Sequence, residues 1–173
     1  PLVPGYSAST AAASTAQPMP PLRVMLIEDD RTYAWLVEEM LVEAFAGDPV
    51  EVKSFDSLAS ATAEDGSVDC ALVDLSLPDA NGLGVIDSVM NAMPEVPVVV
   101  LSGGEDEALA LQAVEHGAQD YLVKRRVNPH VLGRSVRYAV ERKRSELRRA
   151  ELLRAQAEAD ALSGTLARLQ NVA

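Results

Sequence analysis

The sequence predicts an α/β domain with a five-stranded, doubly wound parallel sheet. Two observations point there. Five short apolar runs alternate with five helical patterns within about 110 of the 173 residues, and such alternation with short connections gives right-handed crossovers and helices on both faces. Runs such as Cys70–Val73 and Val96–Leu101 are also continuously apolar, the pattern of strands buried on both sides. The natural order for so small a sheet is 2-1-3-4-5.

Arg23–Ile27 is the first strand. Arg31–Phe45 carries Trp35, Leu36, Met40, Leu41 and Ala44 at helical spacing and stops at Gly47. Val50–Phe55 alternates as an edge strand does, and Asp56 or Ser57 can cap a short Ala-rich helix reaching about Glu64. Val68–Leu75 is the third strand, followed by a helix over Leu83–Met93 that opens after Asn81-Gly82. Val96–Leu101 is the fourth, with Pro97 at its start, where proline is tolerated. Glu105–His116 is a helix with acids in its first turn and Gly117 as its stop. Asp120–Val123 is the last strand, after which Asn128-Pro129 supplies an N-cap and a first-turn proline. The whole reads as a flavodoxin-like (βα)5 fold.

The last helix runs on. From Pro129 to about Asn171 only Gly133 and Gly164 weaken it, so some forty residues at about 1.5 Å each make a rod of roughly 60 Å. Val131, Leu132, Val136 and Val140 are placed to pack on the sheet. Farther along, Ala155, Ala159, Leu162, Leu166 and Leu169 alternate at spacings of four and three, a coiled-coil seam. Glu151, Leu147, Arg144 and Val140 extend that seam backwards only with a stutter. An exposed Ala-rich helix leading to a further domain is the alternative. The expected organisation is a flexible Ala/Ser/Thr/Pro-rich tail over 1–21, a folded domain over 22–144, and a helical extension over 145–173.

Composition narrows the function. Residues 1–123 carry 3 basic and 21 acidic side chains, a balance of −18, whereas residues 124–173 carry 12 and 5, a balance of +7. Such asymmetry marks two parts with different surfaces. No apolar stretch approaches the ~20 residues that span a bilayer, and the first twenty residues do not read as a secretory leader. The one cysteine, Cys70, falls within a buried strand and reads as a small core residue in a reducing compartment. Together these predict a cytoplasmic protein with no membrane association.

The chemistry gathers at strand ends. Leu26-Ile27 ends in Glu28-Asp29-Asp30, and Cys70-Ala71-Leu72-Val73 ends in Asp74. In the order 2-1-3-4-5 the first and third strands are neighbours, which puts Glu28, Asp29 and Asp74 at the edge where open α/β sheets place ligands. Carboxylates crowded there repel unless a hard cation sits among them, so the pattern predicts a divalent-metal pocket with Asp74 as a nucleophile. Asp30 reads as the N-cap of the first helix. His116 reads as a helix-end residue and His130 as exposed, neither having a partner at metal-ligand spacing.

Four segments in order carry a family resemblance. They are Leu26-Ile27-Glu28-Asp29-Asp30; Leu72-Val73-Asp74-Leu75-Ser76-Leu77-Pro78-Asp79 with Gly82; Val100-Leu101-Ser102-Gly103-Gly104; and Gly117-Ala118-Gln119-Asp120-Tyr121-Leu122-Val123-Lys124. Over about residues 22–144 the chain resembles the receiver domains of bacterial two-component response regulators. The resemblance implies Asp74 as phosphoacceptor. It implies Mg²⁺ held by Glu28, Asp29, Asp74 and the carbonyl of Ser76, and Lys124 pairing with Asp74 and then with phosphate. It further implies that Ser102 and the Gly103 amide bind phosphate oxygens, and that Ser102 and Tyr121 form a switch. The implied partner is a sensor histidine kinase or a phosphotransfer protein, with no enzymatic activity beyond self-phosphorylation and self-dephosphorylation. A homodimer through residues 145–170 would follow from the seam.

Three departures stand out: Arg125 rather than proline follows Lys124, Glu28 replaces the commoner aspartate, and Gly104 has no side chain to gate the phosphate. Other function classes fit less well. A haloacid-dehalogenase-type enzyme needs a second aspartate where Ser76 stands, and a dinucleotide-binding domain needs glycines where the first strand ends in acids. Arg142-Lys143-Arg144 and Arg148-Arg149 ahead of the leucines resemble a basic region with a zipper, but Glu141, Glu146 and Glu151 interrupt them. Direct nucleic-acid binding is therefore disfavoured. A fragment of a larger receiver-containing kinase or cyclase is the remaining alternative.

Overall fold

The computed structural model describes residues 20–170, with side chains to residue 168. Five strands and five helices alternate. β1 (Leu22–Ile27), β2 (Val50–Phe55), β3 (Cys70–Asp74), β4 (Val98–Ser102) and β5 (Asp120–Val123) form one sheet. Between and after them lie α1 (Arg31–Ala44), α2 (Leu58–Thr62), α3 (Gly84–Ala92), α4 (Glu107–Glu115) and α5 (Pro129–Gln170). All pairings are parallel and the order is β2-β1-β3-β4-β5, as the alternation predicts. The (βα)5 flavodoxin-like fold is therefore the observed one.

Strand period 2 divides the core. Val24, Leu26, Cys70, Leu72, Val99, Leu101 and Leu122 face α1 and α5, while Met25, Ile27, Ala71, Val73, Val98 and Val100 face α2, α3 and α4. Every residue of β3 and β4 is buried, which is why those strands read as unbroken apolar runs. β2 alternates because it lies at an edge. Cys70 is buried, and that burial, with the Asp69 charge added, pushes its thiol up to about 12, so it is an inert core residue.

Caps fix the helix starts. Asp30 Oδ1 accepts from the Thr32 and Tyr33 amides at 2.9 and 3.1 Å, and Asn128 Oδ1 accepts from the Val131 amide at 3.0 Å. Ser57, rather than Asp56, caps α2. His116 stands at the C-cap of α4, its Nδ1 2.9 Å from Asp87 Oδ1.

Several expectations change in detail. The buried face of α1 is Ala34, Val37, Met40 and Leu41; Trp35 and Leu36 are exposed. Both lie about 100–200° around the helix from Ala34, away from the buried face. α2 ends at Thr62, and β3 is shorter than the apolar run at both ends. Finally, Val140 is buried, Leu147 is half-buried and Arg144 pairs with Asp69 at 3.4 Å. The upstream part of the expected seam thus packs on the domain.

From Arg148 to Leu166 side chains of α5 are exposed almost throughout, Leu152, Leu162 and Leu166 among them. The Leu169 side chain and the tail over 1–19 lie outside the described residues.

The root of α5 is held against α1. Gly133 permits that approach: a Cβ there would stand 2.7 Å from the Ala44 Cβ. One turn on, the Arg137 guanidinium donates to the Ala44 carbonyl at 2.6 Å and lies 4.4 Å from the centre of the Phe45 ring. Gly133→Ala is expected to lower stability by about 1–3 kcal/mol through overpacking, although alanine is the better helix former. Gly164→Ala, where the space is open, should lower it not at all; urea unfolding of the two variants checks the contrast.

Candidate functional site

Strand register assembles the site. Ile27 pairs with Val73, Asp74 with Leu101, and Ser102 with Val123. Glu28 and Asp74 therefore stand level at the carboxyl edge, with Ser102 one residue and Lys124 two residues farther along, each last in its strand or one residue past it. Alternation then separates them: Glu28 and Asp74 continue the α1/α5 face, whereas Ser102 continues the face of Val98 and Val100. Tyr121 packs against that second face too, half-buried.

The three predicted carboxylates come together. One oxygen each of Glu28, Asp29 and Asp74 lie within 4.8 Å of one another, with Glu28 and Asp74 buried and Asp29 exposed at the rim. Lys124 Nζ donates to Glu28 Oε2 at 2.5 Å and to Asp74 Oδ2 at 2.9 Å. The other Asp74 oxygen accepts from the Ser76 amide at 3.1 Å, and Glu28 Oε1 accepts from the Asp30 amide at 3.1 Å. Both buried carboxylates are thus held at both oxygens.

One ammonium between two anions cannot compensate both fully. Burial pushes the Glu28 carboxyl above its ordinary range, against the lowering pull of Lys124 and the Asp30 amide, with the Asp74 charge adding to the rise. For Lys124, burial alone would depress the ammonium, but its bonds to Glu28 and Asp74 outweigh that and raise it. Three carboxylates against one lysine leave a local charge of −2, the complement of one divalent cation, and the donors are hard oxygens. The residues fit Mg²⁺.

The loop after Asp74 is closed on itself. Ser76 and Asn81 form a bridge, Leu77 donates to the Ala80 carbonyl, and Gly82 donates to the Leu75 carbonyl with φ at +65°, a conformation that suits glycine. From this loop Asp79 accepts from the Ala59 and Leu58 amides at 2.8 and 3.0 Å. Those bonds hold its carboxyl below the usual range and tie the loop to the start of α2.

Sequence reasoning missed three residues here. Asp79 was read only as part of a motif. Gly104, noted for its missing side chain, uses its backbone: its amide donates to Ser102 Oγ and its carbonyl accepts from the Tyr121 hydroxyl, each at 3.3 Å. Tyr33, in the first turn of α1, lies under Lys124, with Nζ 4.6 Å from its ring centre. Its spacing to Val37, Met40 and Leu41 signals the buried face of α1, but nothing in that period signals the lysine. Beyond Lys124 the chain makes a 3-10 turn over Lys124–Arg126, in which Arg126 pairs with Glu105 at 2.9 Å.

The raised Glu28 carboxyl has a sign. The folded state binds that proton more tightly than the unfolded chain. Its contribution to stability is full below the ordinary glutamate value and is lost as pH rises through the folded one. In EDTA at pH 7, Glu28→Gln should therefore be more stable than the wild type, and the difference should vanish on acidification below pH ~4. Urea unfolding at the two pH values checks both halves.

Comparison with known proteins agrees with this geometry. The chain is 29% identical over 103 residues to the glycerol metabolism activator of Pseudomonas putida, covering 59% of this chain and 47% of that protein. It is 28% identical over 141 residues to the two-component response regulator ARR2 of Arabidopsis thaliana, covering 81% of this chain and 21% of that protein. The chain thus spans about half or less of the length of these curated relatives. Among solved structures, a CheY-like response regulator receiver domain protein from Methanospirillum hungatei superposes with a TM-score of 0.62 at 22% identity, over 73% of this chain and 99% of that one. That likeness supports the fold. The family model of the response regulator receiver domain matches residues 24–136, and the chain belongs to that family.

Proposed function

We propose that this chain is the phosphoacceptor of a two-component phosphorelay and that Asp74 takes the phosphoryl group. The observation that carries the reading is the Asp74 carboxylate, buried at the end of β3 and oriented by Lys124 and the Ser76 amide. A carboxylate oxygen attacks phosphorus, the bond from phosphorus to the donor's nitrogen or oxygen breaks, and the leaving group departs with that bond's electrons. The product is an acyl phosphate on Asp74. The donor is a phosphohistidine of a sensor kinase or phosphotransfer protein. The chain itself acts as substrate and cofactor site, with at most self-phosphorylation and self-dephosphorylation.

Glu28, Asp29 and Asp74, with the Ser76 carbonyl, would hold Mg²⁺, which when bound neutralises charge on the acidic cluster and the incoming phosphoryl group. Lys124 transfers its pairing from Asp74 to a phosphoryl oxygen. The Ser102 hydroxyl and the Gly103 amide donate to the remaining oxygens. Ser102 Oγ accepts from the Gly104 amide, so its own proton is free to donate, and a shift of Ser102 toward phosphate would carry Gly104, whose carbonyl holds Tyr121; the two switch residues thus share one glycine. Moving that glycine frees the tyrosine and alters the surface of α4, β5 and α5.

The output runs through α5. Residues 22–144 act as the receiver and 145–170 as the segment that joins two copies in parallel along Ala155, Ala159, Leu162, Leu166 and Leu169, in the cytoplasm. Arg148 with Glu141 at 3.1 Å is one of the ion pairs that break up the basic stretch, which disfavours nucleic acid as the ligand of this helix.

Two measurements test the reading. Incubation with acetyl phosphate and Mg²⁺ should add one phosphoryl group to the intact mass of the wild type and none to Asp74→Asn; uptake by the variant would refute the assignment. In sedimentation velocity the chain should be a dimer, and beryllofluoride with Mg²⁺ should change its mass or shape only while Asp74 is present. A monomer mass that is independent of concentration would remove the dimer.

A further inference from the structure

We propose that Tyr33 is a positioning residue for Lys124, its ring holding the ammonium between Glu28 and Asp74 so that it is in place when Asp74 is phosphorylated. The inference rests on the reading of Asp74 as phosphoacceptor.

The geometry of the ammonium sets the need. Lys124 Nζ has three donors. Glu28 Oε2 and Asp74 Oδ2 accept on two sides, and the Tyr33 ring lies 4.6 Å away. The lysine side chain is only 17% exposed. An aromatic face attracts a cation through its quadrupole without offering a carboxylate-like acceptor. It therefore shields the ammonium from water without competing for the bonds that Asp74 and an incoming phosphate must make. An aliphatic side chain of similar bulk would exclude water but add no attraction, and a small one would admit solvent.

The rest of the residue is consistent with a role for the ring alone. Tyr33 is fixed in the first turn of α1, its amide donating to the Asp30 cap, and it packs against the α1/α5 core. Its hydroxyl is buried and has no hydrogen-bond partner. An unpaired buried hydroxyl lowers stability rather than adding to it. Burial, with the charges of Glu28 and Asp74, also pushes that hydroxyl up to about 12, so it stays neutral and brings no further anion to an already anionic site.

The test compares Tyr33→Phe, which keeps the ring, with Tyr33→Leu, which keeps only apolar bulk. Two readouts are used: the rate of phosphoryl uptake from acetyl phosphate with Mg²⁺, and the NMR signal of the Lys124 ammonium protons, whose survival reports confinement. Uptake by Tyr33→Phe should match the wild type within about twofold, with the ammonium signal retained and the thermal midpoint raised. Tyr33→Leu should take up phosphoryl roughly three- to tenfold more slowly, with the ammonium signal broadened by exchange with water. If Tyr33→Leu matches the wild type in both readouts, or Tyr33→Phe is slowed as much as Tyr33→Leu, the ring has no such role. Slow uptake with an unchanged ammonium signal would also overturn it, because the loss would then not pass through Lys124. A wild type that takes up no phosphoryl group would instead overturn the assignment of Asp74, and this inference with it.

Discussion

A single ammonium shared by two buried carboxylates is the constraint around which this domain is arranged. Lys124, Glu28 and Asp74 come from the ends of three strands that are not consecutive in the chain, and they meet only because the parallel sheet brings those strand ends to one edge. The strands beneath supply the apolar support that keeps that edge fixed. Removing charges from water is costly even when they are paired, and here the pairing is incomplete, since Asp29 adds a third carboxylate at the rim. In the function proposed above, a cation and a phosphoryl group would complete the site. Local cost at a functional site, carried by a well-packed scaffold, is a common pattern in proteins.

Much of this was legible because parallel sheets write themselves plainly. Strands buried on both faces have no polar positions to interrupt them, so β3 and β4 stood out as apolar runs. A lone carboxylate after such a run can be a cap, as Asp30 is, but several at one sheet edge repel one another, which made Glu28 and Asp74 conspicuous. Helix starts were legible where a side chain caps them, as at Asp30 and Asn128.

What stayed hidden has equally physical reasons. Tyr33 follows the same period as Val37, Met40 and Leu41, and a helical period records which face is buried but not which neighbour lies across it. Gly104 acts through its amide and carbonyl, which every residue possesses. Trp35 was expected inside because it is apolar and shares a helical spacing with Met40 and Leu41, yet the buried face of α1 runs through Ala34 and Val37. The start of α2 is held by Asp79, twenty residues farther on, reaching back to its first amides; no local pattern contains that contact. The seam in α5 extends upstream only with a stutter, where Val140 is buried and Leu147 half-buried against the domain.

The continuity of α5 has a mechanical consequence. Its N-cap, Asn128, is four residues beyond Lys124, and the helix then runs back along the domain past Asp69, just before β3, leaving at the edge opposite the acids. Beyond Leu147 it reaches about 35 Å at 1.5 Å per residue. With Gly133 and Arg137 against α1 as its fulcrum, about 50 Å from the far end, a rotation of about 10° at the root sweeps that end through roughly 9 Å by rigid-rod geometry. A displacement of ångström scale beside Lys124 would reach the tip magnified, as at the end of a pointer.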